Sequence, residues 1–566
     1  MKRINLHICL AMMVCLTPFL TQARVININV AEIKGDLTME LRRLCAQATY
    51  DDTMVLNFGK GTYTINGTVL FKCNTVIKGA GREQTTIILD KGNDRNGQKA
   101  FPDDTYFKVY GVLKHPVTFS MSDLTIRLKE HKGIWWEKEV RHAVKVYHAN
   151  KVDIRQVDSY MQNAVITNFD LRVCSNVTVT DCIISNYNNC EGGGNLWIRG
   201  EMHNIHVYNN KIFKYGKDEA VAIYDRVVDN SDKYIRGKAN RSDIIVENNE
   251  FYYGDYKGTG NAKDPEANCG MVFSLFTDHK QSTDKCTTSN FHLRNNKFHI
   301  SDVTTRCLYI GFDPADKHED IWIEDNEIIN ANIGRDYKFY HKDIEVHDLS
   351  SCGDTIHITR NSIRNSALVL NSHGSTGYMF MQTRGGIVAV TGNKIVNTVK
   401  TDPSTGKPYG MQLIWCQVEG GDVTLRDNVC KGLSYLAYVG GGDGTPLFTL
   451  KANNNHFEGD TRIYSHKVNE MNLNFTYNTF KSDNMNFFLQ EFAPKGSVVF
   501  NNNDVTVKGG GGQFMTHWGK NSTRDYRFNR LEVKNNIIRG VNSEQDMFKN
   551  VTNVGKRKVS SNTVSR

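Results

Sequence analysis

The sequence predicts an all-β chain wound as a single-stranded, right-handed parallel β-helix, a solenoid of three strands per coil with an N-terminal capping helix. Three observations predict it. A strand-and-asparagine phrase returns at coil-sized intervals, a further short strand lies between phrases, and an amphipathic helical stretch precedes them all.

The phrase is apolar, any residue, apolar, two residues, Asn, any residue, apolar. It reads Ile205-His-Val207-Tyr-Asn-Asn210-Lys-Ile212, then Ile244-Ile-Val246-Glu-Asn-Asn249-Glu-Phe251, then Phe291-His-Leu293-Arg-Asn-Asn296-Lys-Phe298. It returns with Asn326, Asn361, Asn393, Asn428, Asn455, Asn478, Asn503, Asn536 and Asn562, successive asparagines lying 23 to 47 residues apart. An earlier copy, Val177-Thr-Val179-Thr-Asp-Cys182-Ile-Ile184, carries cysteine at the asparagine position. Self-similarity at this period marks stacked repeats. The alternation gives a strand with one face buried. Asparagine ends that strand at a bend, because it tolerates the left-handed backbone region and bonds local backbone. Stacked coil on coil, the asparagines are expected to bond one another and fix the register.

The further strand reads Ala220-Val-Ala-Ile-Tyr224, Met271-Val-Phe-Ser-Leu275, Cys307-Leu-Tyr-Ile310, Tyr378-Met-Phe-Met381 and Met411-Gln-Leu-Ile-Trp415. It completes a three-strand coil, and parallel connections of this kind are right-handed. A solenoid needs its end covered, and Leu37 to Ala48 has the apolar spacing of a capping helix. After it come Met54-Val-Leu-Asn-Phe-Gly-Lys-Gly-Thr-Tyr63 and Val76-Ile-Lys-Gly-Ala-Gly81. A helix, a strand ending in a "G-T-Y" turn and an "I-K-G-A-G" turn resemble the opening coils of the pectin-lyase-like superfamily. The resemblance implies the β-helix fold over nearly the whole chain, and a function among secreted polysaccharide lyases and glycoside hydrolases. Fold alone does not give the reaction.

The domain reading is residues 1–23 as a signal peptide, 24–115 as cap and opening coils, and 116–566 as the β-helix. Lys2 and Arg3, the apolar run Ile8 to Leu20 and the Thr21-Gln22-Ala23 site read as a secretory signal. Met13 and Val14 before Cys15 make a poor lipidation site, so a secreted, periplasmic or cell-surface protein is expected. No later segment is apolar enough for a membrane span. A net charge of +8 over 566 residues is far from the basic stripe of a nucleic-acid binder. The cysteines left after signal removal are odd in number and form no C-x-x-C pair, which points to buried packing residues rather than zinc.

In β-helix enzymes similar to this one, the cleft follows the outer face of the strand stack equivalent to the further strand. Acids flank that strand on successive coils. Glu191, Asp218, Glu219 and Glu266 stand before it; Asp225, Asp278, Asp313 and Asp348 stand after it. Neighbouring coils are about 4.8 Å apart, so carboxylates one and two coils apart bracket the separations used by retaining and inverting glycosidases. Crowded carboxylates also raise one another's pKa, which separates an acid from a base. Asp218, Glu219, Glu191, Asp225 and Asp278 are therefore the candidate catalytic groups. Arg226, His279, Asp313, His347, Arg384 and the Trp135-Trp136 pair are candidate substrate contacts. Asp225, Asp278 and Asp313 offer hard oxygens that suit Ca²⁺. Lys217-Asp218-Glu219-Ala-Val-Ala-Ile223 is similar to the Gly-Asp-Asp-Cys-Ile-Ala-Ile phrase of polygalacturonase-like hydrolases, which implies paired acids at Asp218 and Glu219 and a third at Glu191. The next coil reads Asn268-Cys-Gly-Met271 and lacks that family's Gly-His-Gly. The expectation is an exported enzyme cleaving a polysaccharide by hydrolysis or elimination, with a non-catalytic glycan-binding or adhesive β-helix as the alternative.

Overall fold

The computed structural model describes residues 23–92, 99–130, 140–162, 164, 166–187, 193–216, 219–225, 240–254, 271–277, 286–300, 306–330, 342–350, 352–365, 378–383, 385–398, 411–416, 420–445, 447–483, 488–490, 495–508, 514–517, 528–548 and 554–566. The strands stack in three parallel ladders, each strand bonding to its counterpart one coil on, in a right-handed parallel β-helix. The first sheet carries the strand before the ladder asparagine, for example Met202–Tyr208, Arg241–Glu247 and Thr287–Arg294. The second carries the strand after it, as in Lys211–Tyr215, Glu250–Tyr253 and Lys297–Ile300. The third carries Leu196–Arg199, Glu219–Tyr224, Met271–Phe276, Arg306–Phe312 and Lys342–Asp348.

Inward residues of the three sheets meet in one continuous core, and the same positions repeat down each sheet. On the first, Ile205, Ile244, Phe291, Ile321 and Ile356 are in register and almost fully buried. On the second, Phe251 and Phe298 stack with ring centres 4.6 Å apart. The register brings like side chains together, and such aromatic pairs add about 1 kcal/mol beyond their burial.

The asparagine ladder forms as the repeat predicts. From Asn210 to Asn562, each side-chain amide donates to the next asparagine's Oδ1 at 2.9–3.1 Å. Each amide also donates to a strand carbonyl of the coil behind, as Asn249 Nδ2 does to Val207 O at 2.9 Å. Cys182 occupies the first rung, its backbone N–H donating to Asn210 Oδ1 at 3.0 Å. One detail differs from the sequence expectation. The left-handed residue is the one before the ladder asparagine: Asn209, Asn248, Asn295, Asp325, Arg360, Asp427, Asn454, Tyr477, Asn502 and Asn535 all have φ between 54° and 60°. The bend residue turns the chain, and this frees the ladder asparagine to bond along the axis.

The capping helix runs Leu37–Cys45, shorter than expected, with Asp36 accepting from the Met39 N–H at 3.1 Å. Leu41 and Cys45 are buried under it, and Arg42 donates to Thr68 O at 2.7 Å. Gly79 of the "I-K-G-A-G" turn has no room for a side chain, since a Cβ there would lie 2.1 Å from Asp123 O. A second helix, Glu544–Phe548, was not read from the sequence. It buries Met547 and Phe548, and Glu544 accepts from Asn562 at the ladder's end. Eight of the nine described cysteines are buried and all nine are free thiols. No helix among the described residues is long and apolar enough to cross a membrane. The expected signal peptide lies outside the described residues apart from Ala23.

Candidate functional site on the outer face of the third sheet

Residues of the third sheet that alternate with the buried Phe169, Leu171, Leu196, Ile198, Val221 and Ile223 point outward. The ladder aligns them on successive coils as Lys108, Lys145, Asp170, Trp197, Ala222, Ser274, Tyr309 and Glu345. A parallel outward row reads Tyr110, Tyr147, Arg172, Arg199, Tyr224, Phe276, Gly311 and His347.

The first polar centre surrounds Asp170, whose side chain is fully buried. It accepts from Arg172 Nε at 2.9 Å and from Arg199 Nε at 2.8 Å, and His142 Nδ1 lies 3.4 Å away. Arg172 also donates to the Tyr147 hydroxyl. Arg199 lies over the rings of Trp197 and Tyr224, at 4.9 and 5.5 Å from their centres. Burial alone would push the Asp170 carboxyl up, but Arg199, Arg172 and His142 outweigh it and hold it far below the usual carboxylate range. Burial drives His142 well below an ordinary imidazole, with Lys145, Arg199 and Arg172 adding to the effect against Asp170. Lys145 is lowered by burial and by Arg172. It pairs with Asp104 at 3.3 Å, and Lys108 pairs with Asp103 at 2.9 Å. Asp170 is thus a permanent anion that orients two guanidinium groups, not a proton donor.

A shorter amide network lies under this centre, at the corner between the second and third sheets. Asn168 donates to Ser159 Oγ at 2.8 Å, Asn186 to Ile166 O at 2.7 Å, and Asn195 to Ile184 O at 2.8 Å. Gly194 completes the corner, where a Cβ would lie 2.2 Å from Trp197 Nε1 and 2.7 Å from Glu219 O. The corner pins the strand starts that aim Asp170 and Arg199 outward.

The second polar centre lies five coils beyond Asp170, about 24 Å along the axis. Glu345, nearly fully buried, pairs with Arg306 Nε at 2.5 Å, and His347 Nε2 stands 3.7 Å from its other oxygen. The Tyr309 hydroxyl is 3.4 Å from His347 Nδ1, and Arg306 lies over the Tyr309 ring at 4.6 Å. A carboxylate, an imidazole, a phenol and a guanidinium therefore meet on two adjacent coils. Such groups can hold and pass a proton.

Of the residues singled out from the sequence, Glu219 begins a third-sheet strand, half-buried, and its charge acts on Tyr224. His347 faces outward in the second centre. Asp225 follows the inward parity of Val221 and Ile223 and is buried, 3.6 Å from Cys286 Sγ and close to the buried Arg241. Asp313 is half-buried in a turn closed by its carbonyl and the Asp316 N–H at 3.0 Å. Asp218, Glu191, Asp278, Arg226, His279, Arg384, Trp135 and Trp136 lie outside the described residues. Among the described residues no group of three or more His, Cys, Asp or Glu side chains is placed to hold a metal ion. Lys145, Asp170, Arg172, Arg199, Arg306, Tyr309 and Glu345 were missed, although a signal was present. Phe169-Asp-Leu-Arg172 alternates apolar and charged residues within the strand itself, and Leu196-Trp-Ile-Arg199 sets Trp197 and Arg199 between inward apolar positions.

Neither a family model nor a curated protein matches this chain. Its fold is a right-handed parallel β-helix, and several solved structures are similar to it in fold. One is the family 28 exopolygalacturonase of Yersinia enterocolitica, at 10% identity over 80% of this chain and 79% of that one, with a TM-score of 0.41. Another is the DFA-IIIase of Arthrobacter chlorophenolicus A6, at 10% identity over 72% and 94%, with a TM-score of 0.36. A PL6 alginate lyase shows 11% identity over 77% and 85%, with a TM-score of 0.30. At this level the likeness assigns neither a reaction nor a residue.

Proposed function

We propose that this protein is an exported enzyme that cleaves a polysaccharide laid along the outer face of its third sheet. One observation carries the reading. Along one outward register the half-buried rings of Trp197 and Tyr224, backed by the buried Lys145, Tyr147 and Arg199, line up with side chains able to move protons. Aromatic rings beside fixed donors suit sugar rings and their hydroxyls. Glu219, with Asp218 and with Glu191 one coil earlier, supplies the acids for hydrolysis. One protonates the leaving oxygen while another activates water or attacks the sugar. The second centre favours a competing reaction: His347 or Tyr309 as the base that removes a proton beside a sugar carboxylate, Arg306 opposing the charge that develops. Asp278 and Asp313 are the acids that would serve if the reaction uses Ca²⁺.

The test is incubation of the full chain with acidic and neutral glycans, with and without a chelator. Hydrolysis gives new reducing ends alone; elimination also gives an ultraviolet-absorbing double bond. An Asp218→Asn, Glu219→Gln double variant is expected to lose about 10³-fold in kcat if hydrolysis is the reaction. A His347→Gln variant would lose a comparable factor if elimination is. Binding without product from any glycan would leave the adhesive reading standing and remove the catalytic one.

A further inference from the structure

Three consecutive coils leave a groove on the outer face of the second sheet. It encloses about 460 Å³ and is lined by Thr86, Thr125, Arg127, Lys129, Tyr160 and Gln162, with Glu130 also contributing. That volume falls in the range of small-ligand sites. The ladder sets the arrangement, with Thr86 beside Thr125 and Arg127 beside Tyr160 on adjacent coils. The charges nearby are mostly matched. Lys129 pairs with Asp90 at 2.6 Å, and Arg82 pairs with Asp158 at 3.1 Å. Arg127 and Glu130 are the exceptions: both are exposed, and among the described residues neither has a hydrogen-bond or ion-pair partner, so Arg127 is the cation of the groove left to meet a ligand. The Thr125 hydroxyl donates to Arg82 O at 2.8 Å, which leaves its oxygen free to accept from a ligand hydroxyl. Burial, reinforced by Asp158, raises the Tyr160 phenol and keeps it a donor.

A planar guanidinium fork matches an anionic oxygen group. Hydroxyls and an amide around it match the hydroxyls of a sugar ring. We infer that this groove is a second, non-catalytic sugar site that holds an acidic residue of the polysaccharide, with its carboxylate or sulfate group on Arg127. The inference rests on the proposed function only in taking a polysaccharide as the ligand. The groove lies on a different sheet from the proposed cleft, so it would tether a long chain while another stretch is cleaved.

The test is calorimetric titration of the full chain and of Arg127→Ala with three oligosaccharides of equal length: one of uronate units, one sulfated and one neutral. Arg127 is exposed, so its removal leaves the fold intact. The wild type is expected to show an additional site for one acidic ligand, and the responding ligand identifies the anionic group. Arg127→Ala weakens that site at least about tenfold, the loss of a charged hydrogen bond. Arg127→Lys restores part of it, and the neutral ligand is unaffected. Identical titrations of wild type and Arg127→Ala with both acidic ligands would overturn the inference. Glycan cleavage with Arg127-independent binding sinks the groove and spares the enzyme reading; Arg127-dependent binding without cleavage does the reverse.

Discussion

Each inner asparagine of the ladder accepts two bonds at its Oδ1 and donates from its amide both to a strand carbonyl and to the next asparagine, and its loss leaves buried polar groups without partners. Asn393 accepts at Oδ1 from both the backbone N–H and the side-chain amide of Asn361, at 2.8 and 3.0 Å, and donates to Ile358 O at 2.8 Å. Asn393→Ala leaves two buried donors and one carbonyl short of partners. At about 1–3 kcal/mol for each unsatisfied group, partly offset by relaxation, the expected cost is about 2–4 kcal/mol. The position just before the ladder behaves in the opposite sense. Tyr477 occupies the left-handed region at φ 60° and is 63% exposed, so its ring gives little in return for the strain. Tyr477→Asn is therefore expected to stabilise by about 1 kcal/mol. Urea midpoints of the two variants check both signs. If both variants shifted the midpoint downward, the division between bend residue and ladder residue would be wrong.

The third sheet adds a pH dependence that belongs to its charged centre. His142 is buried and neutral in the fold, with its pKa well below the ordinary value of about 6.5. Below that pH the unfolded chain takes up a proton that the folded chain refuses, so the unfolded state binds more protons and stability rises with pH. Stability due to His142 is thus fully present above about pH 6.5 and is lost by about 1.4 kcal/mol per unit as pH falls below it. Asp170 has the same sign at lower pH, with its contribution fading only below about pH 4. Denaturation profiles should therefore bend first near pH 6.5, and His142→Asn should remove that bend while leaving the one near pH 4. An unchanged profile in the variant would mean that His142 is solvated. The same sheet shows what the sequence could reveal. The asparagine phrase was legible because every coil repeats it and its hydrogen bonds run along the axis. The strands Thr105–Tyr110 and His142–Gln162 lie ahead of the phrase, and the second of them runs through all three sheets with single-residue bends at His148 and Gln156. With no asparagine to mark those bends, the outward Lys145 could not be phased. The pairing of Asp170 with Arg199, 29 residues on, depends on coil length, which varies from repeat to repeat.

At the scale of the whole molecule, a solenoid spreads its charge over a long surface rather than into one patch. The third-sheet face and the groove around Arg127 lie on different sides of the coil, and each carries cations. Salt separates these charges by burial. Around Asp170 the ions are buried and paired, so dissolved ions reach them poorly. Arg127 faces solvent, where interactions fall off over about 10 Å at 0.1 M salt and about 3 Å at 1 M. Raising the ionic strength should therefore raise KM for a long acidic glycan several-fold while leaving kcat and the unfolding midpoint nearly unchanged. Short acidic oligosaccharides reach only one site and should respond less; neutral glycans should respond least. The measurement is KM against salt for the three substrates, in the wild type and in Arg127→Ala. The variant should flatten the long-chain response toward that of the short one. Equal salt dependence for acidic and neutral chains would mean that neither surface recognises charge, and polymer binding would then rest on the half-buried rings of Trp197 and Tyr224.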